Sequence, residues 1–340
     1  MGKRVTAADV ARSLGVSRAT VGFVLNNTPG QSISAATRER VIAEARRLGY
    51  RPHKAAQALA RGQSNIVLLV LPDWPIDFNM RVNIDEAGSI LDQAGLSLVT
   101  MTRRPQMKAR PLWETLSPDV VMSMVPLTPD EISDIRACGV RKVISGAPGD
   151  DSDEVPRMSF TEGPHVQVEV LINRGVDRLV FADTSDTRLY DLATARYEMA
   201  RQVCAERTGL DLERAVVTAE NARDLVARWR SEGIRGVVAY NDETAAEVVG
   251  AAIRLGVRIP QELSVVGHDD APIASLMVPS ITTVRVDNVG IGRYMGELAK
   301  FAYADDGDPR DIQQPATQVS LIERETLAPA PTPDAANNPS

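Results

Sequence analysis

Ser17-Arg18-Ala19-Thr20 puts two hydroxyls, a guanidinium and a methyl on four consecutive positions just after Gly15. On the first turn of a helix, such residues can enter the major groove of DNA. There Arg18 can pair with guanine through two parallel hydrogen bonds, or hold a backbone phosphate. A second set lies far along the chain. Asn241 and Asp269 each follow a short apolar run, and in parallel sheets the carboxyl ends of such runs are where ligands sit. An amide and a carboxylate together can bind the hydroxyls of a sugar or nucleoside. Asp73 and Phe78, after the apolar run Ile66–Leu71, are weaker candidates for the same cleft. Asp269 as a carboxylate capping a backbone turn is the plainer alternative. Trp74 and Trp113 can stack on a ring, or fill the core as most tryptophans do.

These residues need elements to hold them. Thr6 is placed to cap a helix over Ala7–Leu14, with Asp9 completing a capping box. Gly15 allows a tight turn. Ser17 caps a second helix, Arg18 to about Leu25, with Val21, Val24 and Leu25 as its apolar stripe. Asn26, Asn27, Pro29 and Gly30 break the pattern. Ser34 opens a third helix with Val41, Ile42, Ala45 and Leu48 at helical spacing, and Gly49 ends it. Two short helices meeting at a glycine turn have the layout of a helix-turn-helix. The segment from His53 to Arg61, behind Pro52, is too short to be a stable helix alone.

From Asn65 onward, apolar strand-like runs alternate with helical stretches. Strands are expected at Ile66–Leu71, Leu96–Met101, Val120–Val125, Val143–Ser145, Leu179–Ala182, Val216–Thr218, Gly236–Ala239 and Ser264–Gly267. Helices are expected near Asn79–Ala94, Asp130–Cys138, His165–Arg174, Leu189–Arg207, Arg223–Glu232 and Thr244–Leu255. This alternation predicts parallel sheets with helices on both faces, in two similar lobes. The expected fold is therefore an all-α helix-turn-helix headpiece followed by a two-lobed α/β core.

Charge separates the two parts. Residues 1–62 hold eleven Lys and Arg against three acids, a net +8, so a total of −7 leaves −15 on the remainder. A basic head on an acidic body suits a polyanion partner for the head, although a solvated basic surface has the same composition. The two cysteines, Cys138 and Cys204, fit no metal site or disulfide scaffold, and a reducing cytoplasm is expected. The N-terminus lacks the apolar run of a signal peptide, and no apolar stretch approaches a membrane span. No Gly-rich phosphate loop or nucleophile elbow is present, and His53, His165 and His268 sit in no catalytic pattern. Neither turnover nor a cofactor is expected.

Thr6-Ala7-Ala8-Asp9-Val10-Ala11, Gly15-Val16-Ser17-Arg18-Ala19-Thr20-Val21 and Val24-Leu25-Asn26 resemble the headpiece of the lactose/galactose-repressor (LacI/GalR) family. The likeness continues through Ser34–Val41, Leu48–Pro52 and the hinge-like Ala56-Gln57-Ala58-Leu59-Ala60. In the core it covers Asn241-Asp242, Gly256–Pro260, Ser264–Asp270, Pro279–Arg285 and Ile322–Glu325. It implies a transcription regulator, usually a repressor, acting as a homodimer on a near-palindromic double-stranded operator under control of a small-molecule effector. It implies DNA contacts from Thr6, Ser17, Arg18, Ala19, Thr20, Phe23, Asn26, Ser34, Thr37, His53, Ala56, Leu59 and Ala60, and effector contacts from Asp73, Phe78, Arg196, Asn241 and Asp269. Leu59 would enter the minor groove and unstack a base step; as a residue pattern alone it reads as a core leucine. The implied organisation is a DNA-binding domain over 1–51, a hinge over 52–63, a core over 64–328 and a disordered tail over 329–340. Within the core, an N-lobe takes 64–157 plus 286–316, and a C-lobe takes 158–285 plus 317–328.

The chain departs from the family in three places. Gly22-Phe23 replaces the usual polar pair of the recognition helix. Phe23 can touch a thymine methyl but cannot donate to a base, and it can equally be a packing residue. Ala193 stands where the family has an arginine, with Arg196 nearby as a substitute, and Phe160 stands where an aspartate is usual. These changes leave open a less polar effector, a phosphate-bearing one, or none. A soluble sugar-binding protein is the alternative reading, which the basic head opposes.

Overall fold

Periodic apolar residues and well-placed caps decide the local structure. The computed structural model describes residues 5–26, 28, 30–50, 63–104, 108–145, 162–305, 312 and 319–329. At the front, α1 (Ala7–Leu14), α2 (Arg18–Leu25) and α3 (Ala35–Arg47) form a three-helix unit. Thr6 and Asp9 make the reciprocal capping box, and Gly15 takes the left-handed conformation, φ +66°, that turns the chain into α2. Val10, Val21, Val24, Val41 and Ala45 are buried together in a small core.

The body contains two sheets. The first is wholly parallel, in the order β2-β1-β3-β4, from β1 (Ile66–Leu71), β2 (Ser97–Thr102), β3 (Val120–Ser123) and β4 (Lys142–Ser145). Every β1 residue after Ile66 is buried, as the unbroken apolar run requires of a strand covered on both faces. Helices α4 (Phe78–Gln93), α5 (Leu112–Leu116) and α6 (Pro129–Ala137) connect these strands.

The second sheet has six strands in the order β10-β9-β8-β7-β5-β6. They are β5 (Leu179–Asp183), β6 (Glu213–Val216), β7 (Gly236–Ala239), β8 (Ser264–His268), β9 (Thr282–Arg285) and β10 (Ser320–Ile322), with β10 antiparallel to β9. Its helices are α7 (Gly163–Asn173), α8 (Tyr190–Thr208), α9 (Ala222–Glu232), α10 (Asp242–Arg254) and α11 (Pro272–Leu276). The chain then crosses back. The final helix α12 (Asn288–Ala304) packs on α4, and its Ile291, Tyr294, Met295 and Leu298 join the apolar core of the first sheet. Gly292 permits this contact, because a Cβ there would come within 2.6 Å of the Asn83 carbonyl.

Two expectations need correction. The strand expected at Val216–Thr218 runs over Glu213–Val216, because Thr218 and Asn221 exchange hydrogen bonds that open the turn into α9. The strand β9 and the long helix α12 were not anticipated. In β9 the apolar alternation is hidden by Thr282 and Thr283, which are fully buried.

Asp242, at the first turn of α10, is fully buried. It accepts hydrogen bonds from the Ala271 N–H at 2.7 Å and the Thr283 hydroxyl at 2.6 Å, tying α10 to β9 and to the loop before α11. Burial pushes its carboxyl up to about 8, against the opposing pull of those two bonds. A carboxyl raised on folding binds its proton better in the folded state, so its contribution to stability falls as pH rises from about 4 through about 8. Asp242→Asn keeps the acceptor for Ala271 and presents an N–H to Thr283. We expect its stability relative to the parent, from urea unfolding, to rise by up to ~1.4 kcal/mol per pH unit across that window. A pH-independent difference would count against the raised carboxyl.

Candidate nucleic-acid interface and ligand cleft

The expected DNA-contact residues fall into two groups by what their side chains already do. Thr6, Ser17 and Ser34 are helix caps. Thr6 exchanges bonds with Asp9, Ser17 Oγ accepts from the Thr20 N–H at 2.9 Å, and Ser34 Oγ accepts from the Thr37 N–H at 3.2 Å. Their hydroxyls therefore fix three exposed helix N-termini, whose unpaired N–H groups and positive dipole ends favour phosphate. Arg18 and Ala19 are exposed on the first turn of α2, with Thr20 beside them half-buried. Asn26 caps the end of α2 through its backbone.

Phe23 is half-buried on α2 and takes no part in the headpiece core. A Cβ at Gly22 would meet nothing within 4 Å, so packing does not demand glycine there. Arg18, Ala19, Gly22 and Phe23 therefore make a surface with one long cation among small or apolar groups. His53, Ala56, Leu59 and Ala60 lie outside the described residues, as does Phe160.

The ligand cleft gathers at the C-terminal ends of the strands, between the two sheets. Trp74 and Met80 face Leu189, Leu192 and Tyr240 across a cavity that also has Arg196 and Asp269 in its wall. Asp269 follows β8 with φ +98°, and the next residue, Asp270, has φ +48°. Two successive non-glycine residues in sparsely populated backbone conformations are held only by strong local partners, and such strain clusters at binding sites. The partners are present. Arg196 donates to Asp269 Oδ1 at 3.1 Å and to the Tyr240 carbonyl at 2.8 Å, and its guanidinium lies 4.8 Å from the centroid of the Tyr240 ring. Asp270 accepts from Arg285 at 2.7 Å and from Arg324 at 2.6 Å.

Burial opposes ionisation of Asp269, yet the charge of Arg196 and the hydrogen bond from His268 hold its carboxyl well below the usual carboxylate range. Burial and the neighbouring Arg196 cation together lower His268, leaving it a neutral ring that donates from Nδ1 to Asp269 Oδ1 at 2.7 Å. Its Nε2 faces Gly163 at the start of α7, where a Cβ would intrude to 1.9 Å.

The other candidates separate. Ala193 is buried in the core, whereas Arg196, one turn further along the same face of α8, occupies the cleft. Asn241 does not line the cavity. Its side-chain carbonyl accepts from the Thr244 N–H at 2.9 Å and caps α10, leaving the neighbouring Tyr240 as the wall residue. Asp73 faces Arg104 at 3.6 Å and likewise stands outside the cavity wall. Phe78 lines an adjoining outer groove with Val82 and Val289. Trp113 is a core residue, and Trp74 is a cavity residue. Residue types alone did not single out Asp77, Asn83, Tyr240, His268 or Asn288. The available signals were the Asp77-Phe78 cap ahead of a helix and the His268-Asp269-Asp270 run after a strand. Among the described residues no helix is long and apolar enough to cross a membrane, and no cluster of His, Cys, Asp and Glu is placed to hold a metal ion.

Residues 6–53 match the family described as bacterial regulatory proteins, lacI family, and residues 168–327 match the periplasmic binding protein-like domain. Over 307 residues the chain is 29% identical to the HTH-type transcriptional regulator GalS of Salmonella typhimurium, covering 87% of this chain and 89% of that protein. It is 28% identical to the lactose operon repressor of Escherichia coli over 302 residues, covering 84% of this chain and 81% of the repressor. Its fold is similar to that of a transcriptional regulator from Silicibacter pomeroyi, with TM-score 0.76 at 23% identity over 96% of this chain and all of that one. It is also similar to the lac repressor dimer bound to operator and the anti-inducer ONPF, with TM-score 0.71 at 23% identity over 95% of this chain and 99% of that one.

Proposed function

Because the chain belongs to the LacI family of bacterial regulatory proteins, we propose that it is a sequence-specific transcription regulator, a repressor, whose operator affinity is set by a small molecule bound between its two lobes. The observation that carries this reading is α2, which presents Arg18, Ala19, Thr20 and Phe23 outside a closed three-helix core. The chain acts on DNA in the cytoplasm and turns over no substrate. In this reading residues 1–51 bind DNA, 52–63 form a hinge whose Leu59 wedges into the minor groove, and the remainder senses the effector. Two copies pair, as in the lac repressor dimer on its operator, so that two headpieces meet two half-sites of a near-palindrome. Ligand binding that favours one arrangement of the lobes changes operator affinity by the difference in its affinity for the two arrangements.

The test is selection of bound duplexes from a random pool, followed by titration of the selected site at several salt concentrations. We expect a near-palindromic site whose affinity falls steeply with salt, as phosphate contacts require. Phe23 supports a thymine in each half-site, read through its methyl group. Replacing that thymine by uracil is expected to weaken binding several-fold in the parent and not in Phe23→Ala. A duplex preference that survives removal of residues 1–62 would overturn the reading.

A further inference from the structure

We propose that the cleft takes a small organic cation, a protonated amine on an apolar or hydroxylated body, and rejects anionic and phosphorylated metabolites. This rests on the effector-cleft reading above and gives that site its ligand class. The cavity wall contains two carboxylates, Asp77 and Asp269, and among the described residues its one cation is Arg196. Arg196 is 5% exposed and is engaged by Asp269, the Tyr240 carbonyl and the Tyr240 ring. An incoming phosphate or carboxylate would have to break that pair, leaving a second buried carboxylate beside it. Buried charges are tolerated only when paired.

Besides Asp269, two acceptors face the same space, Asn83 and Asp77. Asn83 is 3% exposed and lines the cavity, and its Oδ1 has no hydrogen-bond partner among the described residues. A buried carbonyl of this kind is satisfied by a donor. Asp77 Oδ1 accepts the Met80 N–H at 2.7 Å at the start of α4, which fixes its carboxylate in the cavity wall. Partial burial raises the Asp77 carboxyl, with the charge of Asp269 adding to the effect, so a cation beside it relieves both. Carboxylate, carbonyl and carboxylate together call for N–H donors carrying positive charge.

The dimensions agree with a small head on a longer body. The inner cavity is about 50 Å³, room for a compact head group. It shares Asn79, Asp269, Val286 and Asn288 with an outer groove of about 350 Å³, whose wall holds the apolar Phe78, Val82 and Val289 beside Asp287 and the Asp270–Arg285 ion pair. An ammonium seats at Asn83 and Asp77, and the remainder of the molecule lies along these apolar side chains.

Two matched series test the charge rule on the full chain by calorimetric titration and melting temperature. One is tyramine, tyrosol and 4-hydroxyphenylacetate; the other is D-glucosamine, D-glucose and D-glucose 6-phosphate. In at least one series the cation is expected to bind ten-fold or more tighter than its neutral analogue, with no measurable binding of the anion. Asp77→Asn, which retains a carbonyl for the Met80 cap, is expected to bring the cation and its neutral analogue within two-fold of each other. Asn83→Leu is expected to weaken every bound member while leaving the unliganded melting temperature within a few degrees. Binding of an anion as tight as that of its cation, an unchanged cation preference in Asp77→Asn, or no binding in either series overturns the proposal. Duplex titration of the same preparations separates the two failures. An anion that binds and shifts operator affinity refutes the cation and leaves the regulator intact, whereas absence of duplex preference refutes the regulator itself.

Discussion

Asp269→Leu is expected to destabilise the core by roughly 3–5 kcal/mol, the usual cost of removing one partner from a buried ion pair. For a unit of this size that corresponds to a fall of roughly 6–20 °C in melting temperature. The loss comes less from the missing attraction than from the Arg196 guanidinium left behind, at 5% exposure, without the carboxylate that pairs its charge at 3.1 Å. His268 loses its acceptor at the same time. If this is the cause, removing the stranded cation restores stability. The double variant Arg196→Met, Asp269→Leu should be far more stable than Asp269→Leu alone, giving a strongly non-additive cycle. Additive losses would sink the claim that the two side chains act as one buried unit. The pH dependence has a definite sign. The folded carboxyl of Asp269 is depressed, so its contribution is fully present above the ordinary carboxylate value of about 3.9 and is lost only as pH falls below it. The destabilisation should therefore be constant from neutral pH to about pH 5. Asp242, with its raised carboxyl, shifts stability in the opposite direction over a higher range.

Caps and buried strands were legible from residue types, because both are local. Thr6 with Asp9, and Ser17 with Thr20, form the hydrogen bonds that their three-residue spacing predicts. Ile66–Leu71 and Gly236–Ala239 are unbroken apolar runs and are strands to the residue. Other features depend on partners distant in sequence. Thr282 and Thr283 are polar by type but lie in β9, where the hydroxyl of Thr283 bonds to Asp242 and that of Thr282 accepts from the Arg324 N–H. Asn241 follows a buried strand at the expected place, yet the same position is an N-cap, and the nearby Thr244 N–H takes its carbonyl. Arg196 illustrates the reverse case. Family spacing points to Ala193, but α8 carries both positions on one face, and the side chain long enough to reach β8 is the one in the cleft. Asn83 could be found only once α12 was seen to pack across α4, because that contact buries it.

Pairing of two copies makes the second strong prediction. Leu276 and Val278 are 78% and 83% exposed at the end of α11, and Ile253, 47% exposed, lies near the end of α10, on which α11 packs. Large exposed apolar side chains on two packed elements mark a candidate association surface, and the core has no use for Leu276 and Val278, since Met277 between them already packs inward. We expect Leu276→Glu combined with Val278→Glu to sediment as a monomer, with an unchanged core by circular dichroism. Each headpiece should then bind a single half-site as well as before. What disappears is the effective concentration that two linked heads supply, about 10²–10⁴ in affinity for a two-half-site operator. Comparing full and half-site duplexes isolates this effect, because a damaged headpiece weakens both equally. A double variant that remains dimeric would place the subunit contact elsewhere. Equal losses on full and half-sites would show that the substitutions act on the fold instead.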